Sequence, residues 1–163
     1  MILGVVSDTH NRIQNVEKII GIFNSYKVDF VIHTGDITQA KTLEKFSLLR
    51  CPFVAVYGNN DLKEPDLEDV AKKNNFELEM PPLIKEIGNK TIAIMHEPDG
   101  LEEFLEKNKN VDVILHGHTH TYRNEEKNGV TIFNPGECSG ILEGKNAVGI
   151  IRLEDLEIKR IFF

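Results

Sequence analysis

The stretch "ILGVVSDTH", from Ile2 to His10, joins a short apolar run to a group of polar residues. The apolar part, Ile2–Val6, suits a buried strand. Asp8 and His10 follow shortly after it, just past the carboxyl end of the predicted strand. In open α/β sheets, binding sites lie at the edge formed by the carboxyl ends of the strands. The order of these residues therefore predicts a buried strand that brings two polar side chains to one edge of a sheet.

The next residues alternate between helix and strand patterns. Apolar residues recur at helical spacing between Ile13 and Phe23 and predict an amphipathic helix. Strands are predicted at Phe30–Ile32 and Phe53–Tyr57, with a second helix near Gln39–Leu49 between them. This alternation predicts a parallel sheet with right-handed crossover connections.

The second half of the chain is richer in strand patterns. Two hairpin turns are predicted, at "GNK" (Gly88–Lys90) and "KNG" (Lys127–Gly129). One helix is expected within "EPDLEDVAKKNN" (64–75) and another at about Gly100–Lys107, with Asp99 as the N-cap of the latter. The strands predicted in this half are Phe76–Glu79, Leu83–Ile87, Thr91–Met95, Val113–Leu115, Tyr122–Glu126, Val130–Phe133, Ala147–Ile151 and Ile158–Phe162.

The composition is that of an ordinary globular protein. The chain has 163 residues, 40% hydrophobic and 28% charged, a length that favours one domain over residues 1–163. A net charge of −7 without a stripe of Lys and Arg disfavours an extended nucleic-acid surface. No apolar run reaches the length of a membrane span, and "MILGVVSDTH" lacks the basic start of a signal peptide. We therefore expect no membrane association and a cytoplasmic location.

Polar side chains suited to metal binding follow five of the predicted strands. Because the carboxyl ends of parallel strands share one edge of a sheet, residues far apart in sequence can meet there. The ligands of two pairs are separated by one residue, and in an extended segment such side chains point the same way. A glycine precedes three of the positions, where it permits a sharp turn or a close backbone approach. The candidate metal ligands are Asp8, His10, Asp36, Asn59, His96, His118 and His120.

The chemistry of these seven side chains favours a pair of transition-metal ions. Two carboxylates, one amide and four imidazoles suit Mn, Fe, Zn, Co or Ni better than Ca or Mg. Seven ligands are too many for one tetrahedral ion, but they suit two ions that share a bridging carboxylate. Two ions about 3.5–4 Å apart clamp the oxygens of an in-line phosphoryl displacement. They also supply the local positive charge that an acidic chain needs in order to bind phosphate.

Taken in order, "DTH", "GD", "GNND", a histidine after a strand and "GHTH" resemble the calcineurin-like metallophosphoesterases, with "NPGE" (Asn134–Glu137) as a further landmark. The length is similar to that of the small single-domain prokaryotic phosphodiesterase subfamily. The resemblance implies an α/β fold of two stacked mixed β-sheets flanked by helices, in four layers ordered αββα. It also implies that a metal-bridging water or hydroxide attacks phosphorus in line.

The resemblance further divides the ligands between two divalent transition-metal ions. One ion would take Asp8, His10, Asp36 and His120, and the other Asp36, Asn59, His96 and His118. Asp36 would then be the bridging carboxylate. Manganese is the favoured metal, with nickel, iron, zinc or cobalt as alternatives.

Two positions depart from the family pattern. Asn60 stands where the family commonly has the histidine that protonates the leaving group, and an amide near pH 7 can donate only a hydrogen bond. This predicts low activity, limited to esters with good leaving groups. Asn60 and the neighbouring Asp61 are the candidate catalytic side chains, with their roles left open. Glu97 follows His96 where glycine is usual, and it either reaches the site or lies in solvent.

Other polar residues lie close to the candidate ligands in sequence. His33 and His116 each precede a ligand by two or three residues, a position that fits a hydrogen-bonded core histidine, which is favoured, or a residue that orients a ligand. Asn134 is a candidate for supporting the site from its loop. Cys138 is expected to pack in the core, and neither it nor Cys51 has metal-type spacing.

The leading hypothesis is a dinuclear metal-dependent phosphodiesterase that acts on a small phosphodiester. The alternative is a protein-interaction scaffold of the same fold with weak or vestigial catalysis, as in the retromer coat, and the altered "GNND" block leaves it open. A single structural metal site is disfavoured by the number of ligands and by the absence of paired cysteines. The sequence does not specify the substrate, and it leaves a homo-oligomer open.

Overall fold

The computed structural model describes residues 1–141 and 144–163, which form two β-sheets with helices packed against them. The strands are β1 Ile2–Val6, β2 Phe30–His33, β3 Phe53–Val56, β4 Glu77–Glu79, β5 Leu83–Ile87, β6 Lys90–Ile94, β7 Val113–Leu115, β8 Arg123–Lys127, β9 Val130–Asn134, β10 Ala147–Arg152 and β11 Glu157–Phe162. The helices are α1 Ile13–Tyr26, α2 Ala40–Lys45, α3 Leu67–Lys73 and α4 Leu101–Lys107.

Both sheets are mixed. The first has the order β11-β10-β1-β2-β3-β4. Strands β1 to β4 run parallel to one another, and β10 pairs antiparallel with both β1 and β11. The second has the order β5-β6-β7-β9-β8, in which β6, β7 and β9 run parallel and β5 and β8 close antiparallel hairpins. The predicted α/β fold of two mixed sheets flanked by helices is confirmed.

The apolar residues of β1 are buried on both faces of the first sheet. Leu3 and Val5 pack between the sheets in one cluster with Ile94 and Leu115 of the second sheet. Val6 points the other way, into the cluster beneath the helices of the first sheet. Because successive side chains of a strand alternate between faces, a continuous apolar run is what a doubly covered strand requires. Each such side chain stabilises the fold by about 1.5–3 kcal/mol.

The helices complete four layers around the two sheets. In α1 the buried side chains recur at the spacing of one helical face, and they are Val16, Ile19, Ile20 and Phe23. The helix ends at Tyr26, and the next residue, Lys27, has a left-handed backbone with a φ of 52°. On the opposite side of the molecule, Leu101 and Leu105 of α4 pack against the second sheet.

Some local predictions need correction. Asp99 is not the N-cap of α4: Gly100 holds that position with a φ of 70°, a left-handed conformation that glycine adopts without steric cost, and no side chain caps the helix. The helix predicted near Gln39–Leu49 ends at Lys45 and continues as a short 3-10 turn, Phe46–Leu48. Both hairpin turns are confirmed, between β5 and β6 and between β8 and β9.

The topology brings several strand ends to one edge. Strands β1, β2 and β3 of the first sheet and β6 and β7 of the second are each followed by at least one candidate metal ligand. Among the helices of residues 1–141 and 144–163, none is both long and apolar enough to cross a bilayer.

Candidate metal centre

The loop that follows β1 is bonded to the loop that follows β2. The backbone N–H of Asp8 donates to the carbonyl of Gly35 at 3.1 Å, and that of His10 donates to the carbonyl of Asp36 at 3.0 Å. Because β1 and β2 are parallel neighbours, both loops leave the sheet at the same edge. Three of the candidate ligands are fixed by this contact between loops.

Five of the seven candidate ligands have a left-handed backbone, with φ between 39° and 65°. They are Asp8, His10, Asp36, His118 and His120. The expectation that the two closely spaced pairs would each converge because their segments are extended is therefore wrong, since turns bring these side chains together. Left-handed backbone costs a non-glycine residue about 1–3 kcal/mol, and such strain gathers at functional sites.

Asp8, His10 and His120 form the first group of facing atoms. Nε2 of His10 and Nε2 of His120 are 3.3 Å apart, and Nε2 of His120 lies 3.4 Å from Oδ1 of Asp8. The hydrogen bond with Asp8 raises the pKa of His120, although partial burial opposes the shift. Two imidazole nitrogens and a carboxylate thus face one small space that favours positive charge.

Asp36, Asn59, His96 and His118 form the second group. Nε2 of His96 lies 3.5 Å from Oδ2 of Asp36 and 3.0 Å from Oδ1 of Asn59. Nδ1 of His118 lies 3.2 Å from the same oxygen of Asn59. Oδ2 of Asp36 is also 3.5 Å from Nε2 of His10 in the first group. The structure therefore brings all seven candidate ligands together, with Asp36 between the two groups.

Thr34 and Ser7 also hold ligands in place, although neither is among the residues predicted from the sequence. Nδ1 of His96 donates to the backbone carbonyl of Thr34 at 2.8 Å, which leaves its Nε2 directed at Asp36. The hydroxyl of Ser7 donates to the carboxylate of Asp8. Thr34 acts through its backbone carbonyl, a group that every residue carries. Its side chain therefore does not predict this contact with His96. Ser7 is the residue directly before a ligand, which was the available clue.

Asp61 is buried beneath the loops that carry Asp36 and Asn59. Its carboxylate accepts hydrogen bonds from the backbone N–H groups of Asp36 at 2.8 Å, Thr38 at 2.6 Å and Gly58 at 2.7 Å. Burial raises the pKa of Asp61, and the bonds from Gly58 and Thr38 oppose that shift. Asp61 joins the loop after β2 to the loop after β3, so the geometry gives it a positioning role and not a catalytic one in contact with substrate.

Asn60, the other candidate catalytic residue, is exposed and bonded to Asp36. Its backbone N–H donates to Oδ1 at 2.9 Å and its side-chain amide donates to Oδ2 at 2.7 Å. Burial tends to raise the pKa of Asp36, but the hydrogen bonds from His96 and Asn60 hold it below its usual range. Asn60 thus acts here as the hydrogen-bond donor that its amide allows.

His33 is a buried histidine that contacts both of the first two loops. The backbone N–H of Gly35 donates to its Nδ1 at 3.1 Å, and its Nε2 lies 3.0 Å from the hydroxyl of Thr9. Its ring meets Phe46 edge-on, with centroids 5.6 Å apart. Burial lowers the pKa of His33 to about 3, so the ring is neutral near pH 7. His33 packs in the core and also braces the residues beside Asp8 and Asp36.

Asn134 braces the loop that carries His118 and His120. Its side-chain amide donates to the carbonyl of Gly117 at 3.0 Å and to the hydroxyl of Thr119 at 3.2 Å, while its oxygen accepts from the N–H of Gly136. His116, next to this loop, is buried, and burial lowers its pKa. Neither residue lies among the facing ligand atoms.

Two of the glycines before candidate ligands are required by close approach. A Cβ at Gly58 would overlap the carboxylate and backbone nitrogen of Asp36. A Cβ at Gly117 would overlap the hydroxyl of Ser7 and crowd the carboxylate of Asp8. These glycines therefore let the loops approach one another closely, as the sequence predicts.

The donor set fits a metal ion. Asp8 and Asp36 are 0% and 2% exposed, and two buried carboxylates this close are unfavourable unless positive charge lies between them. Ligand atoms of Asp8, His10 and His120 lie within 4.8 Å of one another, as do those of Asp8, Asp36 and His96. Mixed imidazole and carboxylate donors suit divalent transition metals. These side chains can hold a metal ion.

Two comparisons of sequence identify related proteins. Residues 1–156 match the model of the calcineurin-like phosphoesterase superfamily domain. A phosphodiesterase of Methanocaldococcus jannaschii is 36% identical over 163 residues, which cover 99% of this chain and 98% of that protein.

Solved structures share the fold. The structure of a novel archaeal phosphodiesterase has a TM-score of 0.91 and 34% identity and covers 100% of both chains. The zinc complex of Vps29 from Entamoeba histolytica has a TM-score of 0.71 and 20% identity and covers 100% of this chain and 98% of that one. At that lower identity the likeness concerns the fold alone.

Proposed function

This chain belongs to the calcineurin-like phosphoesterase superfamily and is a metal-dependent phosphoester hydrolase, and we propose that it is a dinuclear phosphodiesterase of small phosphodiesters. The observation that carries the proposal is the position of Asp36. One oxygen of its carboxylate lies 3.5 Å from Nε2 of His10 and 3.5 Å from Nε2 of His96. A pair of metal ions that shares one ligand requires a carboxylate between the two groups of ligands.

The seven side chains divide into two sets around that carboxylate. Asp8, His10, Asp36 and His120 would hold one ion, and Asp36, Asn59, His96 and His118 the other. Bound there, divalent ions would supply Lewis-acid polarisation of the phosphoryl oxygens and an activated water.

The chain's own residues would set the geometry of this reaction. Thr34 orients His96 through the bond to Nδ1, and Asp61 fixes the backbone of Asp36. Asn60 is exposed at the same opening and would donate a hydrogen bond to the ester without giving up a proton. We therefore infer low turnover of esters whose leaving groups need protonation.

A diester is favoured over a monoester on charge. The chain carries a net charge of −7, and a diester bears one negative charge where a monoester bears nearly two at neutral pH. The 36% identical relative from Methanocaldococcus jannaschii is named a phosphodiesterase, which supports the same choice.

The scaffold alternative accounts less well for the site. A pure scaffold gains nothing from two buried carboxylates that face four imidazoles, because that arrangement costs stability in the absence of a cation.

The proposal also includes one domain over residues 1–163 and a cytoplasmic location. A reducing cytoplasm suits free cysteines such as Cys51 and Cys138.

The test couples metal analysis to hydrolysis. The protein is reconstituted with Mn²⁺, Zn²⁺, Ni²⁺, Co²⁺ or Fe²⁺, the bound metal is counted by mass spectrometry, and release of p-nitrophenol from bis-p-nitrophenyl phosphate is measured. We expect about two ions per chain and hydrolysis that chelation abolishes. Fewer than about one ion per chain, with no hydrolysis for any metal, would refute the proposal.

A further inference from the structure

A cleft with a volume of about 530 Å³ opens beside the second ligand group. Its walls are mainly apolar, and Leu62, Met80, Met95 and Phe104 are among the lining residues. Leu62 and Met80 are 58% and 59% exposed, an unusual exposure for large apolar side chains that share a concave surface. Flexible methionine side chains adapt to differently shaped partners, which suits a binding surface.

The cleft is continuous with the candidate metal centre. Asn59 and His96, two ligands of the second group, also line it. A phosphoryl group held at the metal centre would therefore have one of its ester groups directed into the cleft. Asn60, which in the proposed function donates a hydrogen bond on the side of the leaving group, is not among the residues that line the cleft. The ester group in the cleft is then the one that stays on phosphorus.

Charge restricts what this ester group can be. Among residues 1–141 and 144–163, Glu97, Asp99 and Glu103 line the cleft together with one lysine, Lys107. The ammonium of Lys107 is 2.5 Å from the carboxylate of Glu103. The surplus of carboxylates disfavours an ester group that carries its own negative charge. A neutral apolar group gains from burial against the leucine, methionine and phenylalanine side chains.

We propose that this cleft selects phosphodiesters whose retained ester group is a neutral aryl or comparably bulky apolar group, and discriminates against small alkyl and anionic ones. The inference rests on the proposed phosphodiesterase function and names the substrate class of that site. The volume of about 530 Å³ accommodates a group of this size with room to spare.

The test uses three diesters that share one leaving group. In methyl, phenyl and 4-carboxyphenyl p-nitrophenyl phosphate, water adds to phosphorus and p-nitrophenolate leaves, so only the retained group differs. We expect kcat/KM for the phenyl ester to exceed that for the methyl ester about tenfold. The carboxylate of the 4-carboxyphenyl ester should remove most of that gain. Binding of phenylphosphonate and methylphosphonate, measured by calorimetry, should differ by a similar factor without any turnover.

Two serine variants test whether the preference for the phenyl ester arises in the cleft. Leu62→Ser combined with Met80→Ser should reduce the phenyl-to-methyl ratio to about threefold or less, since both side chains are exposed walls of the cleft and not core residues. Leu48→Ser removes an equally exposed leucine, at 60%, that does not line the cleft, and it should keep the full ratio.

The outcomes separate the two proposals. Hydrolysis of all three esters with a ratio near one, or a ratio that the double variant leaves unchanged, overturns the cleft inference alone. No hydrolysis of any ester by protein with a full metal content overturns the phosphodiesterase function instead. A preference for the carboxyphenyl ester over the phenyl ester would contradict the charge argument.

Discussion

The candidate metal centre has a buried floor and an exposed rim, and the two are held in different ways. The floor consists of Asp8, Asp36 and His96, which are at most 2% exposed. The rim consists of the side chains of Asn59, Asn60 and His118, which are exposed. The difference separates the residues that fix the site from those that adjust its chemistry.

The floor is held by groups from several loops at once. Asp36 has its backbone N–H bonded to Asp61, its carbonyl to the N–H of His10 and its carboxylate to Asn60. Such bonds fix a side chain before any ligand arrives, which is the preorganisation that catalysis needs. The rim side chains contact mainly other site side chains, so a substitution there should disturb the fold less.

The largest effect is expected at the centre of the floor. Asp36→Ala should lower kcat/KM for bis-p-nitrophenyl phosphate about a thousandfold or more, because both ions of the proposed pair would lose their shared ligand. Asp155→Ala, which removes an exposed carboxylate paired with Arg152, is the control and should leave the activity unchanged. Substantial activity in a folded Asp36→Ala protein would refute the assignment of the bridge.

A comparison of two histidines tests the floor against the rim directly. His96→Ala should weaken binding of the proposed second ion about a hundredfold and His118→Ala only about tenfold. The reason is that the buried His96 is oriented by its bond to Thr34, whereas His118 is exposed and lacks that bond. Titration of each apo variant with Zn²⁺ gives the two affinities. Equal losses would mean that the difference in burial has no energetic consequence for binding.

The positioning role of Asp61 predicts a loss of stability. Asp61→Ala leaves three buried N–H groups without their acceptor and should lower the free energy of unfolding by about 2 kcal/mol. Asp61→Asn keeps an acceptor oxygen and should lose less. Urea unfolding of the metal-free proteins measures both, and an Asp61→Ala protein as stable as the parent would contradict the role.

The smallest effect is expected on the rim, and it is a gain. Asn60→His should raise turnover of a diester with an alkyl leaving group about tenfold, because imidazole can protonate a poor leaving group. Turnover of bis-p-nitrophenyl phosphate, whose leaving group needs no proton, should change little. Unchanged turnover of the alkyl ester in a folded, metal-loaded protein would argue against this explanation of the "GNND" block.

Most of the fold could be predicted from the chain because its signals are local. The apolar run of Ile2–Val6 and the helical spacing from Val16 to Phe23 follow from the geometry of strands and helices. Errors occurred at element ends, as at Gly100, where the N-cap depends on one backbone angle that the sequence does not encode directly.

The candidate ligands could be named from the sequence, but their convergence could not be explained by it. The predicted reason, an extended segment, fails because His10 and His118 have left-handed backbones. The sequence marks Asp61 only as the neighbour of Asn60, and not as the acceptor of hydrogen bonds from three backbone N–H groups. The role of Thr34 cannot be predicted from its side chain, because Thr34 contacts His96 through its backbone carbonyl.

By itself, the sequence predicted the order of strands and helices, named seven candidate metal ligands and showed Asn60 where the resemblance predicts a histidine. These are properties of single residues and of their spacing. The tertiary structure decided which side chains are buried, how the loops bond to one another and where the apolar cleft meets the ligands. Those features depend on how two sheets pack, because packing alone brings loops distant in sequence to within hydrogen-bonding distance.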